Sequence, residues 1–351
     1  MKSICCTLAF VLLSFAPTLA GQESPKIDVS QLGPQPGEVV PDFRLPDAQG
    51  KTWTRDSIMG PKGAMLVFSR SVDWCPYCKT QVIELQSRLG ELRDKGLGLA
   101  VITYDSPAII ADFSRRRGIT FPLLSDAGSP TINSYGILNT TVAAGTNNYG
   151  IPFPGTFLID PRGRVTSRFF EEAYQERNTV STIFLALGDS GAPATAGRIE
   201  TNHLDATTYL SDDVVAPGSI FSVIFDVTPG AGIHVYAPGA KDYRVINFNV
   251  DANPLLTIRD MQYPASEDYH FKPLDEHVPV FQKPFRLVQR MSLKATGEAR
   301  AALKGVETLT IGGTLEYQAC DDRICFNPQS IPVSYALKVR QLDSERATIT
   351  K

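Results

Sequence analysis

The pattern of hydrophobic and polar positions divides the chain into two regions. Between about residues 35 and 188, short apolar runs alternate with stretches of helical spacing. The run 64–68 is typical of a buried strand, and residues 79–94 carry apolar side chains three or four positions apart. The alternation of strands and helices predicts helices packed on a central sheet, an α/β fold. The other predicted elements are a hairpin at 40–45 and 51–54, a strand at 97–104, a helix at 107–117, a strand pair at 156–160 and 164–170, and a closing helix at 175–187.

A different pattern follows a small, polar segment at 189–198, which predicts a linker. Beyond it the helical period is lost, and alternating or β-branched runs are separated by proline and glycine. This pattern predicts an all-β sandwich over residues 199–341, followed by a tail at 342–351. The predicted strands are 219–227, 243–250, 285–293, 307–317 and 331–339.

The first twenty residues are typical of a secretory signal peptide cleaved after Ala20, because Lys2 precedes a short apolar run that ends in small residues. A retained anchor is the alternative. The run is short for a bilayer span, and the sequence predicts no transmembrane segment in the mature chain. Removal of the peptide would discard Cys5 and Cys6. We therefore expect an exported protein, in the periplasm or another extracytoplasmic space, with four cysteines in an oxidising compartment.

Composition adds few constraints to this picture. The 351 residues are enough for two domains, and the formal net charge of −3 gives no electrostatic reason to expect nucleic acid or an anionic membrane surface as a partner. No glycine-rich loop of the phosphate-binding type is present, and the sequence predicts no cofactor.

The segment Trp74-Cys75-Pro76-Tyr77-Cys78 carries the strongest chemical signal. It lies where a predicted strand passes into a predicted helix, so the first sulfur faces unsatisfied N–H groups and the positive end of the helix dipole. Both favour the thiolate, the nucleophile of disulfide exchange. A purely structural bridge is the alternative, although a loop this short stabilises a fold by only about 2 kcal/mol in the chain-entropy estimate.

Residues 67–81 resemble the thioredoxin-fold redoxins, especially the peroxiredoxin-like AhpC/TSA type with a Trp-Cys-Pro-Tyr-Cys motif, and the likeness continues through 121–126, 134–136 and 151–160. The resemblance implies that Cys75 attacks a disulfide and that Cys78 resolves the mixed disulfide. It also places Pro154 as the cis-proline opposite the cysteines, with the Phe153 backbone binding an extended substrate. Trp74 would shield the site.

Arg70 and Lys79 could each lower the pKa of the thiols further, but on sequence alone each is as likely to be a solvated charge, and Asp73 is equally ambiguous. No histidine lies in residues 21–200, which leaves activation of the thiol to the helix terminus.

A peroxidase is the alternative enzyme. By alignment of the motif, the peroxide-attacking cysteine of peroxiredoxins falls at Cys78, and the threonine they carry three residues earlier falls at Cys75. Hydroperoxide reduction through a Cys78 sulfenic acid, resolved by Cys75, stays open. A glutaredoxin motif has the same Pro-Tyr pair, but the surrounding residues do not match that family.

A second cysteine pair lies in Tyr317-Gln-Ala-Cys-Asp-Asp-Arg-Ile-Cys-Phe-Asn-Pro328, which resembles the active hairpin of the amino-terminal periplasmic domain of the interchange protein DsbD. The resemblance implies an immunoglobulin-like sandwich in which Cys320 and Cys325 pass electrons. It also implies a cap loop at 266–271, with Tyr269 or Phe271 as the shield. The family has one more residue between its cysteines and a different sequence after them, which leaves the geometry near Cys325 open.

Two other roles for the second pair remain open. One is a structural bridge; the other is a metal site built from all four thiols, which their redox spacing disfavours. His234, His270 and His277 are expected to be structural or solvated. Our hypothesis is an exported thiol-disulfide oxidoreductase whose Cys75/Cys78 pair relays electrons to or from Cys320/Cys325. Its expected partners are protein thiols, disulfides or hydroperoxides and an external electron donor. A binding module with two structural disulfides is the non-enzymatic alternative.

Overall fold

The computed structural model describes residues 28–188, 191–271 and 275–348. The predicted signal peptide, with Cys5 and Cys6, and the first two residues of the predicted linker lie outside these ranges. No helix within the described ranges is long and apolar enough to cross a membrane.

The first region is built on a five-stranded mixed sheet in the order β5-β4-β3-β6-β7. Strands β3, β4 and β5 are parallel, and β6 and β7 run antiparallel to their neighbours. With its flanking helices this sheet confirms the predicted thioredoxin-like α/β fold. Its elements are β1 (Arg44–Pro46), β2 (Thr52–Thr54), β3 (Ala64–Ser69), α1 (Pro76–Ser87), α2 (Leu89–Asp94), β4 (Gly98–Thr103), α3 (Pro107–Arg117), β5 (Leu123–Ser125), α4 (Pro130–Ser134), β6 (Gly155–Ile159), β7 (Val165–Phe170), β8 (Arg177–Asn178) and α5 (Val180–Ala186).

Strand β3 is buried on both faces, which explains its continuous apolar run. Met65 and Val67 belong to one core, shared with apolar residues of α1, α3 and α5. Leu66 and Phe68 belong to the core on the opposite face. The strand is thereby fixed at the sheet centre, and the cysteine motif follows its carboxyl end.

The second region is rich in strands, as the sequence predicts. One sheet has the order β15-β18-β12-β10-β9, a second β11-β21-β19-β14 and a third β16-β17-β13-β20. The first two share one hydrophobic core; the immunoglobulin-like topology stays a prediction. The elements are β9 (Gly197–Glu200), β10 (Leu204–Leu210), β11 (Val214–Val215), β12 (Ser219–Pro229), β13 (His234–Tyr236), β14 (Asn247–Val250), β15 (Leu256–Gln262), β16 (Glu267–Phe271), β17 (Glu276–Phe281), β18 (Phe285–Leu293), α6 (Gly297–Ala302), β19 (Thr308–Tyr317), β20 (Ala319–Cys320) and β21 (Gln329–Val339).

The closing helix predicted at 175–187 is wrong in its first part. Helix α5 begins only at Val180, because Thr179 is its N-cap and accepts a hydrogen bond from the backbone N–H of Thr182 at 3.2 Å. The preceding residues are extended, and β8 pairs in parallel with β12, Arg177 opposite Ser219. A strand of the first region thus joins a sheet of the second.

Other contacts hold the two regions together beside this pairing. Ser292 Oγ donates to Glu176 at 2.6 Å, and Thr179 Oγ1 donates to the buried carboxylate of Asp212 at 2.9 Å. The backbone N–H of Arg177 donates to the Gly218 carbonyl at 2.8 Å. The two sets of elements therefore share a polar and partly buried interface.

The segment predicted as a tail returns to the first region. Gln341 is tied to the second region, since its side-chain amide donates to the carbonyls of Leu303 and Val306 at 3.0 and 3.2 Å. Residues 342–348 then run without regular secondary structure across helix α1. This segment reaches the cysteine motif.

Candidate active site

Cys75 is the N-cap of helix α1, with extended backbone angles, and Pro76 occupies the first helical turn. The backbone N–H of Cys78 donates to Cys75 Sγ at 3.3 Å. The helix therefore begins three residues earlier than predicted, at the motif itself. This position gives the Cys75 sulfur both a hydrogen bond and the positive end of the helix dipole, as the sequence predicts.

Cys78 forms a disulfide with Cys75 and has a cation beside its sulfur. Nη2 of Arg177 donates to Cys78 Sγ at 3.3 Å, while Nη1 donates to the carbonyls of Tyr174 and Glu176. Arg177 is buried, and none of these hydrogen bonds reaches a carboxylate. Burial, with a smaller contribution from the positive charge of Arg70, lowers the pKa of Arg177 to about 9. The guanidinium is still protonated at neutral pH.

Both sulfurs of the first pair are shut away from solvent, since Cys75 is 1% and Cys78 0% exposed. They pack with Tyr77 and the half-buried Trp74, as well as with Ala295 and Leu342 of the second region. The Tyr77 hydroxyl donates to the Ala295 carbonyl at 3.1 Å. The second region and the C-terminal segment thus complete the cover over the disulfide.

Trp74 is held in place beside the motif, where the sequence predicts a shield. Its indole N–H donates to the Tyr104 hydroxyl at 2.9 Å. The guanidinium of Arg70 lies 5.0 Å from the centroid of the Trp74 ring and 4.4 Å from that of Tyr174. Arg70 therefore contributes to a stacked cover.

The two other charged neighbours of the motif are buried and paired. Asp73 accepts two hydrogen bonds from Arg346, at 2.9 and 2.7 Å, and one from the backbone N–H of Ala347 at 2.8 Å. Burial alone would raise the pKa of Asp73, but these hydrogen bonds outweigh it and hold the pKa below its usual value. Burial lowers the pKa of Lys79, although Asp343 lies 3.6 Å away and opposes the shift. Neither side chain is the solvated charge that the sequence left open.

The loop before the motif rests on a buried carboxyl group. Asp105 accepts hydrogen bonds from Ser71 Oγ at 2.9 Å, from the backbone N–H of Val72 at 2.6 Å and from Thr103 Oγ1 at 2.9 Å. Burial raises the pKa of Asp105 to about 6 despite these donors. Asp105 fixes the turn that leads from β3 to Cys75.

Pro154 is buried and lies beside the carboxyl end of β3, since the next residue, Gly155, pairs with Phe68. Every described peptide bond is trans, so the predicted cis bond between Phe153 and Pro154 is wrong. The backbone N–H of Phe153 is used within the fold and donates to the Ile137 carbonyl at 2.8 Å. The substrate-binding role of these two residues stays a prediction.

The second pair forms a disulfide between Cys320, at the end of β20, and Cys325 in the following loop. Cys320 is buried and Cys325 is exposed. The hydroxyl of Tyr236 lies 2.9 Å from Cys320 Sγ and 3.3 Å from Cys325 Sγ. Because the sulfurs of a disulfide carry no proton, the single O–H of Tyr236 is the donor and is shared between them. Burial raises the pKa of Tyr236 above its usual range.

A small pocket surrounds this disulfide, and its wall includes the buried His234, Tyr269 and Phe271. The segment 266–271, predicted as a cap loop, is mostly strand β16, because residues 267–271 pair with β17. Tyr269 nevertheless covers the pocket: its ring stacks on His234 at 4.3 Å, and its hydroxyl donates to Asp322 at 2.7 Å. Shielding by Tyr269 and Phe271 therefore comes from a strand face.

The two disulfides belong to separate clusters of side chains with no residue in common. The four sulfurs form two short bridges, and no group of metal-ligating side chains is present among the described residues. His270 and His277 are exposed and paired with Asp275 and Asp268. The expectation that these two histidines are solvated agrees with their surroundings.

The comparisons with known proteins concern the first region. Residues 36–168 match the model of the AhpC/TSA family. The putative peroxiredoxin Rv2521 of Mycobacterium tuberculosis is 29% identical over 130 residues, which is 37% of this chain and 81% of that protein. The thiol-disulfide oxidoreductase ResA of Geobacillus thermodenitrificans is 28% identical over 130 residues, 37% of this chain and 66% of that protein. Among solved structures, the peroxidoxin BcpB of Mycobacterium tuberculosis has a TM-score of 0.36 and 24% identity, and covers 40% of this chain and 89% of that one.

The match to the AhpC/TSA family covers 133 of the 351 residues, all of them in the redoxin region. The predicted redoxin identity of the first region is thus confirmed, and a redox role for an enzyme of this kind is supported. The match ends before Arg177, the C-terminal segment and the second disulfide. The DsbD-like identity of the second region stays a prediction.

The sequence did not indicate several residues that lie beside the two cysteine pairs. Arg177 lies in the stretch predicted as helix, and Thr179, a good N-cap before an apolar run, is the signal that would have placed the helix start after it. Asp343 and Arg346 lie in the predicted tail, where no local pattern indicates a contact. Tyr236 lies 84 residues before Cys320, beside the second pair, and no local pattern indicates that contact.

Proposed function

We propose that the protein is an exported thiol-disulfide oxidoreductase with Cys75 and Cys78 as its redox dithiol. The observation that carries the proposal is the place of Cys75 at the N-cap of α1, with its sulfur accepting the Cys78 N–H. A thiolate at this position is stabilised by the helix terminus. The match to the AhpC/TSA family over residues 36–168 supports the same chemistry.

The reaction would proceed in two exchanges. The Cys75 thiolate attacks one sulfur of a substrate disulfide, a new S–S bond forms, and the other substrate sulfur leaves as a thiolate. The Cys78 thiolate then attacks Cys75 Sγ and releases the second substrate sulfur. Two electrons pass to the substrate, the Cys75–Cys78 disulfide is formed, and an external dithiol reduces it again.

Arg177 supports the second exchange. Once Cys75 is bound to substrate, Cys78 needs to be a thiolate to attack, and the nearest cation is the guanidinium at 3.3 Å. A buried cation with no carboxylate among its hydrogen-bond partners is costly, so an anionic sulfur beside it relieves that cost. Arg177 would therefore keep the resolving sulfur ionised.

The finer part of the proposal is a relay between the two cysteine pairs. Cys325 is exposed and Cys320 is buried, so Cys325 is the sulfur that an incoming thiolate would reach first. Because the two disulfides lie in separate clusters, electron transfer between them requires one pair to move to the other, or a second molecule. The direction of transfer depends on the two reduction potentials.

The test of the first proposal is insulin reduction by protein that dithiothreitol recycles. Cys75→Ser is expected to abolish turnover, while Cys325→Ser, a matched change outside the proposed dithiol, leaves it unchanged. Equal turnover by Cys75→Ser and the unaltered protein would contradict the proposal. Failure of mild dithiol to reduce either pair would favour the binding-module alternative.

The relay is tested by trapping its intermediate. In a Cys78→Ser, Cys320→Ser double variant, the remaining Cys75 and Cys325 thiols are expected to form a mixed disulfide when oxidised glutathione is added as the oxidant, detected by mass spectrometry of the cross-linked peptides. Dilution distinguishes an internal from an intermolecular bond, because only the second forms more slowly in dilute protein. If no Cys75–Cys325 peptide is trapped while the unaltered protein reduces insulin, the relay is contradicted and the first proposal stands.

A peroxidase is the second candidate, and the cation at the Cys78 sulfur favours it. A thiolate stabilised by Arg177 would attack one oxygen of a hydroperoxide, break its O–O bond and release an alcohol, or water from hydrogen peroxide, which leaves a Cys78 sulfenic acid. The Cys75 thiol then condenses with that sulfenic acid, forming the Cys75–Cys78 disulfide and releasing one water. This function predicts peroxide consumption by the reduced protein that Cys78→Ser abolishes. Absence of consumption in a stopped-flow assay would exclude it.

A further inference from the structure

Residues 342–347, here called the C-terminal strap, cross the amino-terminal half of helix α1. Leu342 packs in the cluster that contains Cys75 and Cys78. The backbone N–H of Asp343 donates to the side-chain hydroxyl of Thr80, one turn into the helix, at 3.3 Å. The strap therefore lies on the face of the redoxin region that carries the dithiol.

Charged pairs hold the strap on both sides of the dithiol. Arg346 binds Asp73 through two hydrogen bonds, and Asp73 lies two residues before Cys75. Lys79, one residue after Cys78, donates to the Glu345 carbonyl and lies 3.6 Å from Asp343. The side chain of Lys79 is only 1% exposed, so the strap is what keeps this buried charge paired.

Helix α3 contributes two more cations to the same surface. Arg117 donates to Asp343 at 2.7 Å and to Glu345, and Arg116 lies 3.2 Å from Glu345. Lys79, Arg116 and Arg117 thus form a basic surface, and the strap covers it with two acidic side chains. The acidic side chains of the extended strap thus complement the charge of the basic surface beneath them.

The way the strap is attached suits a removable segment. Within the described part of the strap, every hydrogen bond runs through a side chain, and none is a backbone ladder like those of β6 and β7. Arg117, Glu345 and Arg346 are partly exposed, and the pairs that they make each contribute modestly. Cooperation among several of them keeps the segment in place, so losing one weakens the rest.

We propose that residues 342–347 close the Cys75/Cys78 site, and that an extended acidic segment of the redox partner displaces them by binding Lys79, Arg116 and Arg117. The inference rests on the proposed function for its partner, a protein that exchanges disulfides. The contacts of the strap with Asp73, Lys79 and helix α3 do not depend on that function. Access to Cys75, and not only its reactivity, then sets the rate with large substrates.

Alkylation of the reduced full-length protein measures access to the dithiol when Cys320 and Cys325 are both replaced by Ser, because the exposed Cys325 would otherwise react first. A maleimide carried on a polyethylene glycol chain is compared with iodoacetamide, in this parent protein, in its Arg346→Ala variant and in a form of it that ends at Gln341. The alkylation rate follows the fraction of molecules in which the strap is open. With the bulky reagent we expect the rate to rise roughly tenfold in Arg346→Ala, because one charge-assisted pair is lost. The rise should be larger in the shortened chain. Arg162→Ala, an exposed change in the β6–β7 turn of the redoxin region, is the matched control and should leave both rates unchanged.

A peptide with the sequence of residues 342–348 tests the acidic recognition. Added to the shortened chain, it is expected to slow alkylation by the bulky reagent tenfold at saturation. The same peptide with its Asp and Glu replaced by Asn and Gln is expected to have no effect. Equal protection by both peptides would contradict recognition of an acidic segment.

The outcomes separate this inference from the proposed function. Unchanged alkylation rates in folded Arg346→Ala and in the shortened chain would overturn the strap, whatever the activity. Faster alkylation with no insulin reduction in any variant would overturn the proposed function and leave the strap intact. If the shortened chain does not fold, the point variant decides alone.

Discussion

Replacing Arg177 with methionine removes the cation that donates to a sulfur of the first disulfide. Methionine keeps much of the apolar volume but cannot donate to Cys78 Sγ. We expect the Cys78 thiol, measured in a Cys75→Ser background, to titrate at a higher pKa in the variant. The reason is that the thiolate loses its counter-ion while remaining buried.

The distance sets the size of the effect. Coulomb's law with an effective dielectric constant of about 20 gives about 5 kcal/mol for unit charges separated by the observed 3.3 Å. That energy corresponds to a shift of roughly four units in the pKa of Cys78. Charge is spread over the whole guanidinium, and water enters once the side chain is removed, so we expect an increase of about 1 to 2 units.

The assay is thiolate absorbance at 240 nm followed across pH, with the rate of iodoacetamide reaction as a second readout. In Arg177→Lys the pKa of Cys78 should rise less than in Arg177→Met, because lysine keeps the positive charge but lacks the planar set of guanidinium donors. Arg70→Met is the matched control, since that guanidinium lies over two aromatic rings and not at a sulfur. A folded Arg177→Met protein whose Cys78 pKa stays within about 0.3 unit of the parent would refute the reasoning.

Three further predictions concern other parts of the molecule. Burial, aided by the negative charge of Asp212, raises the pKa of Glu84 to about 7, so the native state holds a proton that the unfolded state releases above the ordinary pKa of 4.5. The free energy of unfolding should therefore fall as pH rises through this window, by at most about 3 kcal/mol, and Glu84→Gln should flatten the dependence in urea titrations at pH 5.5 and 8. Tyr236→Phe removes the donor to Cys320, and we expect the potential of that pair to become more negative by about 30 mV against glutathione, a tenfold change in the equilibrium constant; an unchanged potential would contradict this role. Gly218 has a φ of +90°, and a Cβ there would lie 2.3 Å from the Gln175 carbonyl oxygen. Gly218→Ala should therefore lower the free energy of unfolding by about 2 kcal/mol or more. Gly188→Ala is the control for backbone strain alone, because Gly188 has a positive φ but open space around it.

Local signals predicted much of the first region and its main pair. The apolar run that became β3 and the helical spacing of residues 79–94 are short-range patterns, and they placed the dithiol at a helix start without tertiary information. Helix 107–117 was also predicted to the residue, because Ser106 caps it and Gly118 ends it in a left-handed conformation. In the second region, the runs at 307–317 and 331–339 became β19 and β21 and bracket the second pair.

Long-range pairing explains what the sequence did not predict. Arg177 reaches Cys78 only because β8 is extended and pairs with β12, forty residues further along the chain. Arg346 meets Asp73 across more than 270 residues, and nothing near either residue indicates the other. The cis bond at Pro154 was an inference from family likeness, and it is wrong in this chain.

Because β8 pairs with β12, the redoxin region supplies backbone hydrogen bonds to a sheet whose core lies in the other half of the molecule. The covalent join at residues 189–198 is therefore a minor part of the connection. Melting of either core would strip partners from the other, so the protein should unfold in one calorimetric transition, with equal van't Hoff and calorimetric enthalpies. A fusion of two folds would behave, in heat, as a single cooperative body.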